Sequence, residues 1–195
     1  MHKARNFLED WSWSLKSIYV RPLKFFSGMK TSGGYAEPLK FAFMSEVIAA
    51  VVAFAYLFSG ISKTINLPAS MSAASNPLGV AGLLLMGAGL TALAIFVTGG
   101  LNYLFLKLFG GVGTYEGTVR VMGYLAALSI LAALLSFHSV LVIAVSVYSV
   151  VLQIYAFQRV HKLSAPKAAI AVLLPILLMA LLSYYAASAG LVAVA

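Results

Sequence analysis

The 195 residues are 62% apolar and only 9% charged, with no cysteine and a net charge of +8. A soluble domain of this size carries about a quarter charged residues, so the water-facing surface is small. Disulfides, thiol chemistry and cysteine metal sites are excluded; His2, His138 and His161 fall in three separate segments, and neither a metal nor a cofactor is expected.

The chain opens on a polar N-terminal segment, residues 1–40. Residues 5–20 predict an amphipathic helix, because Leu8, Trp11, Leu15 and Ile18 recur at spacings of three, four and three. Glu9, Asp10, Ser14 and Ser17 lie largely on other faces. Trp11 and Trp13 suit the head-group layer of a bilayer, and Lys16 and Arg21 suit anionic head groups, so these four are the candidate lipid-interface residues. Arg21-Pro22 ends the helix, since the residue before proline disfavours the helical backbone. Residues 27–38 read as a Gly-, Ser- and Thr-rich loop.

Residues 41–195 read as a five-helix membrane domain, with apolar stretches at 41–61, 79–106, 118–136, 140–157 and 168–187. At about 1.5 Å per residue each is long enough to cross a hydrocarbon core of about 30 Å. The first is too long for a cleaved secretory signal. A loop at 63–76, without an acidic residue, follows it. The second stretch would run about 43 Å as one straight helix. It must tilt, protrude or break, and Gly99-Gly100-Leu101-Asn102 is the natural place for a break. Gly110-Gly111-Val112-Gly113 contains G-x-G, yet it follows no strand and lacks a P-loop Lys-Ser pair, so it reads as a turn. Thr114 with Gly117, or Tyr115 with Thr118, sets the start of the third span, with Glu116 well placed near a helix N-terminus. Phe137-His138-Ser139 is so short a link that spans three and four form a hairpin. Ser164-Ala165-Pro166 reads as a cap and first turn for span five, which Pro175 should kink.

Charge orients the whole. Twelve of the thirteen basic residues share one side of a five-span arrangement, and only Lys63 falls on the other. The positive-inside rule puts the N-terminus in the cytoplasm and the C-terminus outside a cell membrane. The same distribution reads as affinity for anionic head groups on the cytoplasmic side, not for nucleic acid. Small residues at four-residue spacing, such as Gly123/Ala127 and Ala49/Ala53, favour a compact bundle and association with itself or another membrane protein.

No paired carboxylates, metal cluster or nucleophile with its base is visible, which argues against an enzyme. Glu46 is the one acid inside an apolar stretch, a costly position unless the group is paired, hydrated or protonated. Arg120 is its expected partner, and Asn102, Tyr124 and Gln153 complete a candidate polar cluster.

Two short stretches resemble the Yip1 domain family. Gly34-Tyr35-Ala36-Glu37-Pro38-Leu39 is similar to the Asp-Leu-Tyr-Gly-Pro-Leu-like segment that eukaryotic members carry before the first span, with Tyr35 (offset by one), Pro38 and Leu39 as matches. Arg120-Val121-Met122-Gly123-Tyr124-Leu125 resembles the Gly-Tyr segment opening the third span; Ser129 lies near the place of a proline in eukaryotic members. The likeness covers residues 22–188 and looks closer to a prokaryotic member. It implies five spans, a cytoplasmic N-terminus and interaction within the membrane; the GTPase binding of eukaryotic members does not carry over. The expected protein is therefore an all-α, non-enzymatic membrane scaffold of Yip1 type, with a basic cytoplasmic face on anionic lipid. The rival is a small proton- or ion-coupled transporter built around Glu46 and a glycine-interrupted second span.

Overall fold

The computed structural model describes residues 6–58 and 77–188, which form eight helices and no strand. They are α1 (Phe7–Val20), α2 (Pro22–Gly28), α3 (Ala36–Phe58), α4 (Pro77–Leu108), α5 (Tyr115–Leu125), α6 (Ala127–Leu134), α7 (Ser139–His161) and α8 (Ala165–Ser188). With α5 and α6 taken together, five are long and apolar enough to cross a membrane, at mean hydropathies of 1.6 to 2.2. The expected five-span, all-α architecture holds. The loop at 63–76, with Lys63, lies outside the described residues.

The third span is the centre of the bundle. Of its most apolar stretch 61% is buried in protein, against 22% for each of the other four. Helices α3, α4 and α7 all pack on α5, and α3 and α7 also pack on α6. Between helices in lipid there is little hydrophobic driving force, so close backbone approach and polar contacts decide the packing. Glycine supplies the approach. A Cβ on Gly123 would stand 2.9 Å from both the Cβ and the carbonyl oxygen of Pro38, and one on Gly117 would stand 2.8 Å from Val160 Cγ1. Ala127 is fully buried in the same seam.

One expectation about helix continuity is corrected. Helix α4 runs unbroken through Gly99-Gly100, so the glycine-interrupted second span does not exist. Gly99 serves packing instead, since a Cβ there would lie 3.3 Å from Val119 Cγ2, and Asn102 returns its amide to the Thr98 carbonyl at 2.8 Å. The interruption falls in the third span, at Ala126 (φ −57°, ψ −18°). There Ser129 directs both its backbone N–H (3.1 Å) and its hydroxyl (2.7 Å) to the Ala126 carbonyl, a back-bonded serine that tightens the turn. Helix α8 carries the buried Pro175 within its length.

The N-terminal segment folds onto the bundle. Asn6 and Glu9 form a reciprocal capping box that starts α1. Ile18 is wholly buried, the Trp11 ring lies 6.3 Å from Phe41, and Trp11 Nε1 donates to Ser45 Oγ at 3.3 Å. Trp11 thus packs on α3 through Phe41 and Ser45. Trp13 is 53% exposed. Pro22 ends α1 as expected, and it also opens α2; proline at the first helical position has its φ preset and loses no needed donor. Phe26 on α2 is buried in the same core as Ile18 and Phe157.

The Pro38–Gly123 contact should be among the least forgiving in the protein. Gly123→Ala forces backbone on α3 to shift and is expected to cost about 1–3 kcal/mol. Gly87→Ala on α4, where a Cβ meets nothing within 4 Å, should be neutral or slightly stabilising. Thermal unfolding of the detergent-solubilised protein checks both; equal melting points for Gly123→Ala and the parent would reject the seam.

Candidate functional site

Polar side chains converge where α3 and α5 begin. Arg120 and Tyr124 stand four residues apart on α5 and therefore share a face. The first span starts at Ala36, five residues before the expected 41, because Pro38 occupies the first turn and Glu37 is favoured by the positive end of the helix dipole. Glu37 thereby becomes a helical residue, held against α5 by the Pro38–Gly123 contact.

The Arg120 guanidinium is only 1% exposed, and three of its donors are engaged. Nε donates to the Lys30 carbonyl at 2.8 Å, Nη1 to the Gly34 carbonyl at 2.7 Å and Nη2 to Glu37 Oε2 at 2.6 Å. The Tyr124 hydroxyl donates to Glu37 Oε1 at 2.9 Å. Gly34 N–H in turn donates to Glu116 Oε1 at 2.6 Å, so both polar groups of the Gly34 backbone are tied to α5. Gly33 (φ 120°) and Gly34 (φ 85°) adopt backbone that side-chain-bearing residues rarely take, and this lets the loop turn its carbonyl toward the arginine. The result is a clasp between the α2–α3 loop and the start of the third span.

The expected cluster is thus divided. Arg120 and Tyr124 come together, but their carboxylate is Glu37. Glu46 lies nine residues further along α3, which is about half a turn around and about 13 Å along the axis, so it faces away from Arg120. It sits beside Ser129 on α6. Asn102 and Gln153 form a pair of their own, with Gln153 Nε2 donating to Asn102 Oδ1 at 3.1 Å between α4 and α7. The sequence signal for Glu37 was an acid next to a proline just ahead of an apolar run, a helix-start pattern.

Two further contacts complete this end of the bundle. Gly111 and Gly113 close over the buried His161, where a Cβ would come within 3.0 and 2.9 Å of His161 Nδ1; Thr118 Oγ1 lies 2.8 Å from Nε2, and Val112 N–H donates to the His161 carbonyl at 3.0 Å. The glycine-rich turn therefore has a packing role. On α1 the Tyr19 hydroxyl donates to the Ala127 carbonyl beside the Ala126 interruption, and burial raises its pKa above the ordinary phenol value, which keeps the donor in place. Of the candidate lipid-interface residues, Trp13, Lys16 and Arg21 remain exposed.

Four apolar helices around a central buried span, with a polar clasp at one end, define an integral membrane protein. A family model described as the Yip1 domain matches residues 16–187, and the chain belongs to that family. No curated protein and no solved structure matches it. The two stretches that carry the resemblance meet in the fold: Pro38 seats against Gly123, and Glu37 bonds Arg120 and Tyr124.

A double-mutant cycle separates the two carboxylates. Glu37→Gln and Arg120→Gln should each destabilise the solubilised protein by about 1–3 kcal/mol, less than a fully buried pair because Glu37 is 64% exposed. Their double mutant should cost less than the sum. Glu46→Gln should add to Arg120→Gln without coupling, and coupling there instead would restore the Glu46–Arg120 pairing.

Proposed function

We propose that the protein is a non-enzymatic scaffold in a cell membrane, working through helix contacts and through a basic cytoplasmic face on anionic lipid. The observation that carries this reading is the engagement of Arg120: each of its three guanidinium nitrogens donates to a loop or a helix start, so the deepest charge of the cluster serves architecture and not turnover. The other basic side chains at this end, Arg21, Lys24, Lys30, Lys162 and Lys167 among them, are exposed. Helix alternation brings them to one end of the bundle, as the positive-inside rule requires of a cytoplasmic face. The transporter alternative keeps Glu46 but loses its interrupted second span. Homo-oligomers or a membrane-protein partner would use the lipid-facing sides of α7 and α8, where Ile143, Val147, Leu173 and Leu177 are exposed.

With no native cysteine, topology is directly readable. Single cysteines at Ser32, Val112 and Ser164 should label with impermeant maleimide from the cytoplasmic side, and one at Phe137 only from outside. Labelling of Phe137→Cys from the cytoplasm would overturn the orientation. Scaffold action predicts that the reconstituted protein prefers phosphatidylglycerol-containing vesicles to phosphatidylcholine ones and carries no pH-driven flux; a flux abolished by Glu46→Gln would install the transporter reading.

A further inference from the structure

Beside the clasp lies a cleft of about 490 Å³, bounded by α1, α2 and the Glu37–Arg120–Tyr124 cluster. Its volume falls within the range of small-ligand sites. One wall is the polar side of α1 and its C-cap: Ser14 and Ser17, three residues apart, share a helix face, and Arg21 lines the same cleft from the cap. That face turns inward over a cleft, whereas an amphipathic helix normally gives it to bulk water. Lys24, three residues after Arg21, and Lys30 bring two more cations.

The charge in this space is unbalanced. Among the described residues no carboxylate lies within ion-pair distance of Arg21, Lys24 or Lys30, while the one lining carboxylate, Glu37, is already bridged by Arg120 and Tyr124. Three cations share one concavity at the edge of a low-dielectric medium, where their repulsion is less screened than in water. Two hydroxyls stand ready as further donors. Trp13, Phe25 and Met29 supply an apolar flank to the same cleft, and Leu23 is exposed nearby on α2. A cationic niche with hydroxyl donors and an apolar flank, opening at the end of a membrane bundle, matches a phosphate joined to acyl chains. The excess of positive charge favours a net anion over a zwitterion.

We infer that this cleft is a seat for the phosphate of an anionic phospholipid, with Arg21 and Lys24 as its main cationic contacts and Ser14 and Ser17 as hydroxyl donors. The inference rests on the lipid-facing basic end proposed above and narrows it from a diffuse field to a defined site.

Trp13 lines the cleft, and the chain has only two tryptophans. Full-length Trp11→Phe protein in mild detergent therefore carries one reporter at the site. Short-chain phosphatidylglycerol should shift its emission saturably, while short-chain phosphatidylcholine and inorganic phosphate should not at equal concentration. Arg21→Gln with Lys24→Gln should weaken phosphatidylglycerol binding about tenfold or more, since charge-assisted bonds to phosphate are lost. Lys162→Gln with Lys167→Gln, exposed at the same end but outside the cleft, should leave it within about twofold, a change too small to register a lost bond. Equal weakening by the two pairs would remove the seat yet leave a diffuse basic face. Absence of any phosphatidylglycerol preference would remove both readings. Saturation by inorganic phosphate with the lipid's affinity would overturn the lipid assignment in favour of a soluble anion. Native mass spectrometry of the unsubstituted chain, which should retain phosphatidylglycerol over phosphatidylcholine, tests the same preference without a variant.

Discussion

A guanidinium buried in a membrane bundle needs hydrogen-bond partners for its nitrogens, and Arg120 shapes this fold through that requirement. A buried cation left short of partners costs several kcal/mol, an amount comparable to much of a domain's net stability. Three elements meet the demand: the Lys30 carbonyl, the Gly34 carbonyl and Glu37. Each acceptor needs its own local geometry. Positive-φ backbone at Gly33 and Gly34 turns the loop, an early start to α3 brings in Glu37, and a missing side chain at Gly123 lets α3 come close enough. Glu116 then fixes the loop from the other side through the Gly34 amide.

The same arrangement places the N-terminal helices. Phe25 and Phe41 each pack on the Tyr124 ring with centroids 5.1 Å apart, so α2 and α3 gather around the clasp. Trp11 and Ile18 anchor α1 on α3 and the core, and the Tyr19 hydroxyl reaches the third span where Ala126 interrupts it. With its apolar side occupied by protein, α1 turns its serines and Arg21 over the clasp. The basic cleft is a by-product of how the bundle satisfies one arginine.

Much of the architecture was legible. Long apolar runs need no tertiary information, because in lipid the backbone must bond to itself and helices are the ready solution. The Thr114 cap on the Gly117 amide, the short α6–α7 link and the start of α8 near Pro166 were also readable, since capping and turn preferences act within a few residues. Pairings between helices were another matter. Glu46 drew attention as the acid inside an apolar run, but Glu37, hidden in an apparent loop, holds the arginine. Choosing between them requires the rotation of α3 about its axis, and a uniformly apolar helix carries little periodicity to report it. The glycines of α4 suggested a break for a similar reason: a glycine that bends a helix and one that admits a neighbour's side chain are the same letter.

By itself the sequence determined the solvent, the number of spans, the side on which positive charge gathers and the existence of an amphipathic helix. All of these follow from composition and short-range spacing. Tertiary structure alone decided that Trp11 packs on α3, that Arg120 closes on Glu37, and that Ser14, Ser17 and Arg21 overlook a shared cleft. Those contacts join residues tens of positions apart. Their selection depends on the rotation and close approach of whole helices, which small-residue packing and the demand of one buried charge settle together.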